Sequence, residues 1–174
     1  SIVYAIRQGR TIFSNIQKFV IYLLSCNMSE LFVIAVVALA GFQFQLVPLQ
    51  ILFINLITDV LPALALGVSR GDVIIMKHKP RQPDAPLLSR AQWRSVWVYA
   101  TVISVCTLLP VLVLHYYPLA NHPPDGKVYN NLLFFTIILS QLLHVFNMTS
   151  GSTPLRHSEI VRNKYVWYAI IACL

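Results

Sequence analysis

The chain has 174 residues, of which 57% are hydrophobic and 11% charged, with 13 Lys and Arg against 6 Asp and Glu. Roughly a quarter of a soluble domain is charged, and a disordered segment is polar where this chain is apolar and aromatic, so both classes are excluded and a membrane protein is left. The net charge of +7 does not point to nucleic acid, because the basic residues stand in short clusters between apolar runs without aromatic interleaving on a polar surface.

The predicted fold is all-α, a polytopic transmembrane helix bundle. Residues 1–18 read as the polar, amphipathic stalk of the first helix: Ile6, Ile12, Phe13 and Ile16 recur at helical spacing among Arg7, Arg10, Gln17 and Lys18. A membrane crossing needs about 20 mostly apolar residues, and residues 19–174 form a transmembrane domain with spans near 19–41, 47–67, 96–117 and 132–148. A fifth span at 165–174 is truncated, so the chain reads as a fragment. The connector after the second span carries Pro80, Pro83 and Pro86 and cannot form an unbroken helix. The loop with Pro118, Pro123, Pro124 and Gly126 is similarly rich in turn residues. Cys26, Cys106 and Cys173 lie in apolar stretches with no CxxC spacing, which indicates packed or lipid-facing thiols rather than disulfides or a zinc site.

Basic residues set the expected orientation. Arg7, Arg10 and Lys18 precede the first span; Arg70, Lys77, Lys79, Arg81, Arg90 and Arg94 follow the second; Arg156, Arg162 and Lys164 follow the fourth; only Lys127 falls on the other side. The positive-inside rule then puts the N-terminus of the chain in the cytoplasm. The expected location is a multi-pass protein of the lipid bilayer, in a plasma membrane or, if bacterial, an inner membrane.

Of the six acidic residues only Glu30 and Asp59 fall within spans. A carboxylate at membrane depth costs at least about 2.5 kcal/mol, which makes each a functional candidate. Asn27 and Glu30 are three apart, and Asn55, Thr58 and Asp59 stand at i, i+3 and i+4, so each of two consecutive spans offers an oxygen-rich stripe. Oxygen ligands of this kind suit a hard cation such as Ca²⁺, and the stripes contain no Cys or His for a softer metal. Pro62, three residues beyond Asp59, removes a backbone donor and is expected to loosen the helix beside the site. Gln141 and His144 share a face of the fourth span and are further candidates. The competing reading makes Asn27, Asn55 and Thr58 interhelical hydrogen-bond glue. Ser25 and Ser29 read as close-packing residues, and Tyr22, Trp93, Trp97 and Trp167 as interfacial anchors or packing residues.

These residues match a known pattern. The stretch AIRQGRTIFSNIQKFVIYLLSCNMSE resembles the fifth membrane helix of type II P-type ATPases of the calcium-pump kind, INLITDVLPALALG resembles their sixth, and DVIIMKHKPRQPDAPLLS is similar to the connector that follows. The resemblance covers the first 90 residues closely and the remainder more loosely, as helices seven, eight and the start of nine. It implies ATP-driven cation transport, with Asn27, Glu30, Asn55, Thr58 and Asp59 holding the transported ion, Ca²⁺ above others. Calcium pumps supply a further carboxylate from the eighth helix; its nearest equivalents are His144, or Gln141 after a slip of one turn, and a histidine there suggests proton counter-transport. The resemblance also implies partners within the same pump, the N-terminal membrane helices and the cytoplasmic domains, where ATP and Mg²⁺ bind. The phosphorylation motif DKTG is not in this chain, so the chain alone is not expected to hydrolyse ATP. The alternative from another class is a secondary transporter or channel segment that uses Glu30 and Asp59 for proton or sodium coupling.

Overall fold

A computed structural model describes residues 2–42, 46–69, 75–76, 86–117, 125–149 and 160–173. The described residues form helices without strands: α1 (Ile2–Leu39), α2 (Pro48–Gly67), α3 (Arg90–Tyr116), α4 (Gly126–Met148) and α5 (Lys164–Cys173). The first four are long and apolar enough to cross a membrane. Stalk and span are one continuous helix in α1, whose 38 residues extend about 57 Å at 1.5 Å per residue. Its end is set by Gly41, whose φ of 69° suits a residue without a Cβ. The Gly41 amide bonds to the Ala38 carbonyl and the Phe42 amide to that of Val37, the paired bonds that close a helix C-terminus.

Caps fix the other boundaries. Pro48 opens α2, where its missing N–H costs nothing, and the Val47 amide donates to Gln50 Oε1 at 2.9 Å. Ser89 and Gln92 form a capping box at the start of α3, which adds a polar turn before its apolar stretch. Within α2, residues Ile54–Asp59 form a π-helical segment, flanked by regular α-helix on both sides.

The helices run up and down. At one end the stalk meets the far end of α2 and the start of α3: Asn15 Nδ2 donates to the Gly67 and Ser69 carbonyls at 3.1 and 2.6 Å, and Gln17 Nε2 to the Leu87 carbonyl at 2.7 Å. Asn163, just before α5, donates to the Ala65 carbonyl at the same end. At the opposite end Gln50 of α2 donates to Asn130 of α4 at 2.8 Å, and the Phe42 and His115 rings meet edge to face. Arg70, Lys77, Lys79, Arg81 and Arg156 lie outside the described residues, as do Pro80, Pro83, Pro118, Pro123 and Pro124.

Small side chains bring α1 and α3 close: Ser25, Ser29, Ala100 and Ser104 are buried, and Ser104 Oγ donates to the Ser29 carbonyl at 3.1 Å. Two apolar clusters stack along the bundle. One joins Val33, Val37, Ile54, Leu133 and Ile137; the other joins Tyr22, Cys26, Ala63, Leu66, Val145 and Val166. On α1, α2 and α4 alike, the boundary between them falls where polar residues interrupt the apolar sequence.

Candidate functional site: a buried oxygen cluster between α1, α2 and α4

At or next to that boundary lie Glu30, Asn55, Thr58, Asp59 and Gln141. Glu30 is 4% exposed, and its carboxylate is held from two sides: Asn55 Nδ2 donates to Oε2 at 2.9 Å and Gln141 Nε2 to Oε1 at 3.0 Å. Both are charge-assisted bonds in a low-dielectric setting, the stronger kind. Asp59, 1% exposed, and Thr58, fully buried, are different. Among the described residues neither Asp59 oxygen has a hydrogen-bond partner, and Thr58 Oγ1 and Gln141 Oε1 have none either. Buried polar atoms are paired in the great majority of proteins, so four unpartnered oxygens close to one carboxylate call for an explanation.

The backbone of α2 contributes to this. Pro62 has no N–H to offer the carbonyls one turn back, and side chains approach them instead. Tyr22 Oη points at the Thr58 carbonyl at 3.5 Å and the Gln141 carbonyl at 3.4 Å, both long contacts. Cys173 Sγ of α5 donates to the Ile57 carbonyl at 3.4 Å. The widened turn lies where the polar residues are, a common location for π segments.

The sequence-derived candidates separate. Glu30, Asn55, Thr58 and Asp59 come together, and Gln141 joins them. Asn27 does not: it is exposed, and its Nδ2 donates to the Leu23 carbonyl of its own helix at 2.8 Å. Packing separates it from Glu30: Tyr22, Cys26, Ser29, Glu30 and Val33 belong to the buried stripe of α1, and Asn27 lies beside it. His144 sits one turn beyond Gln141, with its ring stacked on Tyr22 at 5.7 Å and tilted against Tyr99 at 4.7 Å. Its Nδ1 pairs with Asn147 Nδ2 at 3.3 Å. Tyr22 is fully buried at the floor of the cluster, which excludes an interfacial position; its i, i+4, i+8 spacing with Cys26 and Glu30 was the available signal. Among the described residues no group of three or more His, Cys, Asp or Glu side chains is placed to hold a metal ion by itself, so a cation held here would be bound by a mixed set of carboxylates, carboxamides and hydroxyl.

The chain is 34% identical over 170 residues to a calcium-transporting ATPase of Bacillus subtilis (strain 168), covering 98% of this chain and 18% of that protein. It is 34% identical over 182 residues to calcium-transporting ATPase 1 of Bacillus cereus (strain ATCC 10987 / NRS 248), covering 98% and 20%. With calcium-transporting ATPase 1 of Lactococcus lactis the identity is 30% over 174 residues, 100% of this chain and 19% of that one. The chain therefore spans about a fifth of the length of these relatives. The family model described as "Cation transporting ATPase, C-terminus" matches residues 43–174. With that match over most of its length, and with four helices among the described residues long and apolar enough to span a membrane, the chain belongs to the C-terminal region of the cation-transporting ATPases.

Proposed function

We propose that the chain is part of the membrane domain of an ATP-driven pump for Ca²⁺, and that Glu30, Asn55, Thr58, Asp59 and Gln141 bind the ion during transport. The observation that carries this reading is the set of four buried, unpartnered oxygens on Thr58, Asp59 and Gln141 beside the clamped Glu30 carboxylate. Ca²⁺ takes six to eight oxygen ligands in flexible geometry, and two carboxylates offset its charge in the bilayer interior. Asn55 and Gln141 each carry a donor and an acceptor: the amides hold Glu30 in place without the ion, and rotation of each carboxamide presents oxygen to the ion when it enters. Asn27 supplies a further ligand from the exposed flank of α1, toward membrane helices elsewhere in the pump.

Energy from ATP enters through the cytoplasmic domains of the same pump. The long α1 carries both Glu30 and the stalk, and Asn15 and Gln17 tie that stalk to the ends of α2 and α3, so displacement of the stalk is transmitted to both sides of the site. The basic ends face the cytoplasm. The names of the relatives favour the pump over a secondary transporter or channel. The test is ATP-driven Ca²⁺ uptake by the full-length protein in vesicles. Uptake in the parent protein and its loss in Asp59→Ala support the reading, whereas turnover indifferent both to Ca²⁺ and to this substitution would falsify it.

A further inference from the structure

Cys26 belongs to the inner wall of this site. It is fully buried, one helical turn from both Tyr22 and Glu30 on the same face of α1. Tyr22 reaches the Thr58 carbonyl and Glu30 bonds Asn55, and α1 and α2 run antiparallel. Cys26 therefore lies opposite the stretch of α2 that carries Thr58 and Asp59, and its thiol lies against the Asp59 carboxylate. A second feature points to a ligand: Asp59 is 99% removed from solvent and, among the described residues, its oxygens have no partner beyond the adjacent thiol, while Thr58 Oγ1 has none. The other thiols have different surroundings. Cys106 is exposed, and Cys173, although within electrostatic reach of Asp59, directs its Sγ to the Ile57 carbonyl.

We propose that Cys26 is a specificity-determining residue that gives this oxygen site a soft arm, so that a thiophilic divalent cation of Ca²⁺-like size, Cd²⁺ being the test case, binds through Cys26 and Asp59 together. Thiolate selects soft metals where carboxylate and carbonyl do not. Coordination takes the thiol as thiolate, with one proton released for each ion bound. A serine in this place would leave an all-oxygen site and lower the preference for the soft ion. The inference rests on the proposed cation site.

The experiment uses the full-length pump in vesicles, with Cd²⁺ as the probe, and compares the parent protein with Cys26→Ser and Cys106→Ser. In Cys26→Ser the Cd²⁺ concentration that halves Ca²⁺-dependent turnover is expected to rise about tenfold more than the Ca²⁺ requirement changes, while Cys106→Ser behaves as the parent. The purified parent should also show the ultraviolet thiolate-to-Cd²⁺ charge-transfer band, lost in Cys26→Ser and kept in Cys106→Ser. This second readout needs no turnover and serves equally with Cys26→Ala if the serine variant does not fold. Equal shifts for the two ions, or a band that survives removal of Cys26, overturn the inference. Absence of any Ca²⁺-dependent turnover in the parent overturns instead the calcium reading on which it rests.

Discussion

Glu30 and Asp59 are both buried carboxylates, yet their surroundings predict opposite consequences of neutralising them. Glu30→Gln keeps the shape but leaves one carbonyl oxygen where two oxygens accepted bonds from Asn55 and Gln141. One donor is orphaned and the other loses its charge assistance, a cost of about 1–3 kcal/mol in stability. Asp59→Asn removes a charge that has no hydrogen-bond partner, so the ion-free protein should be as stable as the parent or more so. The ion affinity goes the other way. At a Ca²⁺ to oxygen distance of about 2.4 Å and an effective dielectric of about 20, the lost unit charge forfeits about 14 kcal/mol of gross attraction. Desolvation cancelling about four fifths of that leaves about 3 kcal/mol, or about 100-fold in affinity. The assay is thermal unfolding of the solubilised full-length protein in chelator, paired with the Ca²⁺ dependence of its ATPase activity. A Tm for Asp59→Asn well below the parent in chelator, or an unchanged Ca²⁺ requirement, would refute the assignment of Asp59 as an unpaired ion ligand.

Three further substitutions probe the supports of the site. Tyr22→Phe removes the long contacts to the Thr58 and Gln141 carbonyls and the hydroxyl's contact with the Cys26 thiol, so Ca²⁺ affinity should fall by less than about fivefold, under about 1 kcal/mol, in the same ATPase titration. Asn15→Ala leaves the Gly67 and Ser69 carbonyls without their side-chain donor; a stability loss of about 1–3 kcal/mol should appear as a lower Tm, with Ca²⁺ affinity in detergent little changed. Pro62→Ala restores an amide donor inside α2, and a proline-to-alanine change in a helix interior is worth up to about 3 kcal/mol. The helix should stabilise and tighten its π segment, shifting Thr58 and Asp59. The expected signature is a raised Tm together with Ca²⁺ affinity reduced tenfold or more, about 1.4 kcal/mol; a raised Tm with unchanged affinity would mean that the π segment is not needed for the site.

The amino-acid sequence by itself determined the all-α membrane class, because in lipid the backbone must satisfy its own hydrogen bonds and an apolar stretch long enough to cross has few options other than a helix. It also singled out Glu30 and Asp59 as candidates, because a carboxylate within an apolar span is costly, and that Asn55 and Thr58 share a face with Asp59 was legible from their spacing. The rotation of each helix about its axis was decided by the tertiary structure. On α1, Cys26 and Asn27 lie about 40° and 60° to either side of Glu30 on the helical wheel, so spacing ranks them nearly equal. Packing of α2, α3 and α4 buries Cys26 and leaves Asn27 exposed. On α4, Gln141 and His144 share a face, and the depth at which Glu30 meets that face brings Gln141 to the carboxylate and leaves His144 between two tyrosine rings. Pro62 announced a weakened helix, but whether it would kink, unwind or widen depended on groups from distant parts of the chain: Tyr22 and Cys173 reach the carbonyls near it, and the turn is π-helical. Periodicity fixes which residues are neighbours along one helix, whereas the face that a helix turns inward is set by what the other helices bring against it.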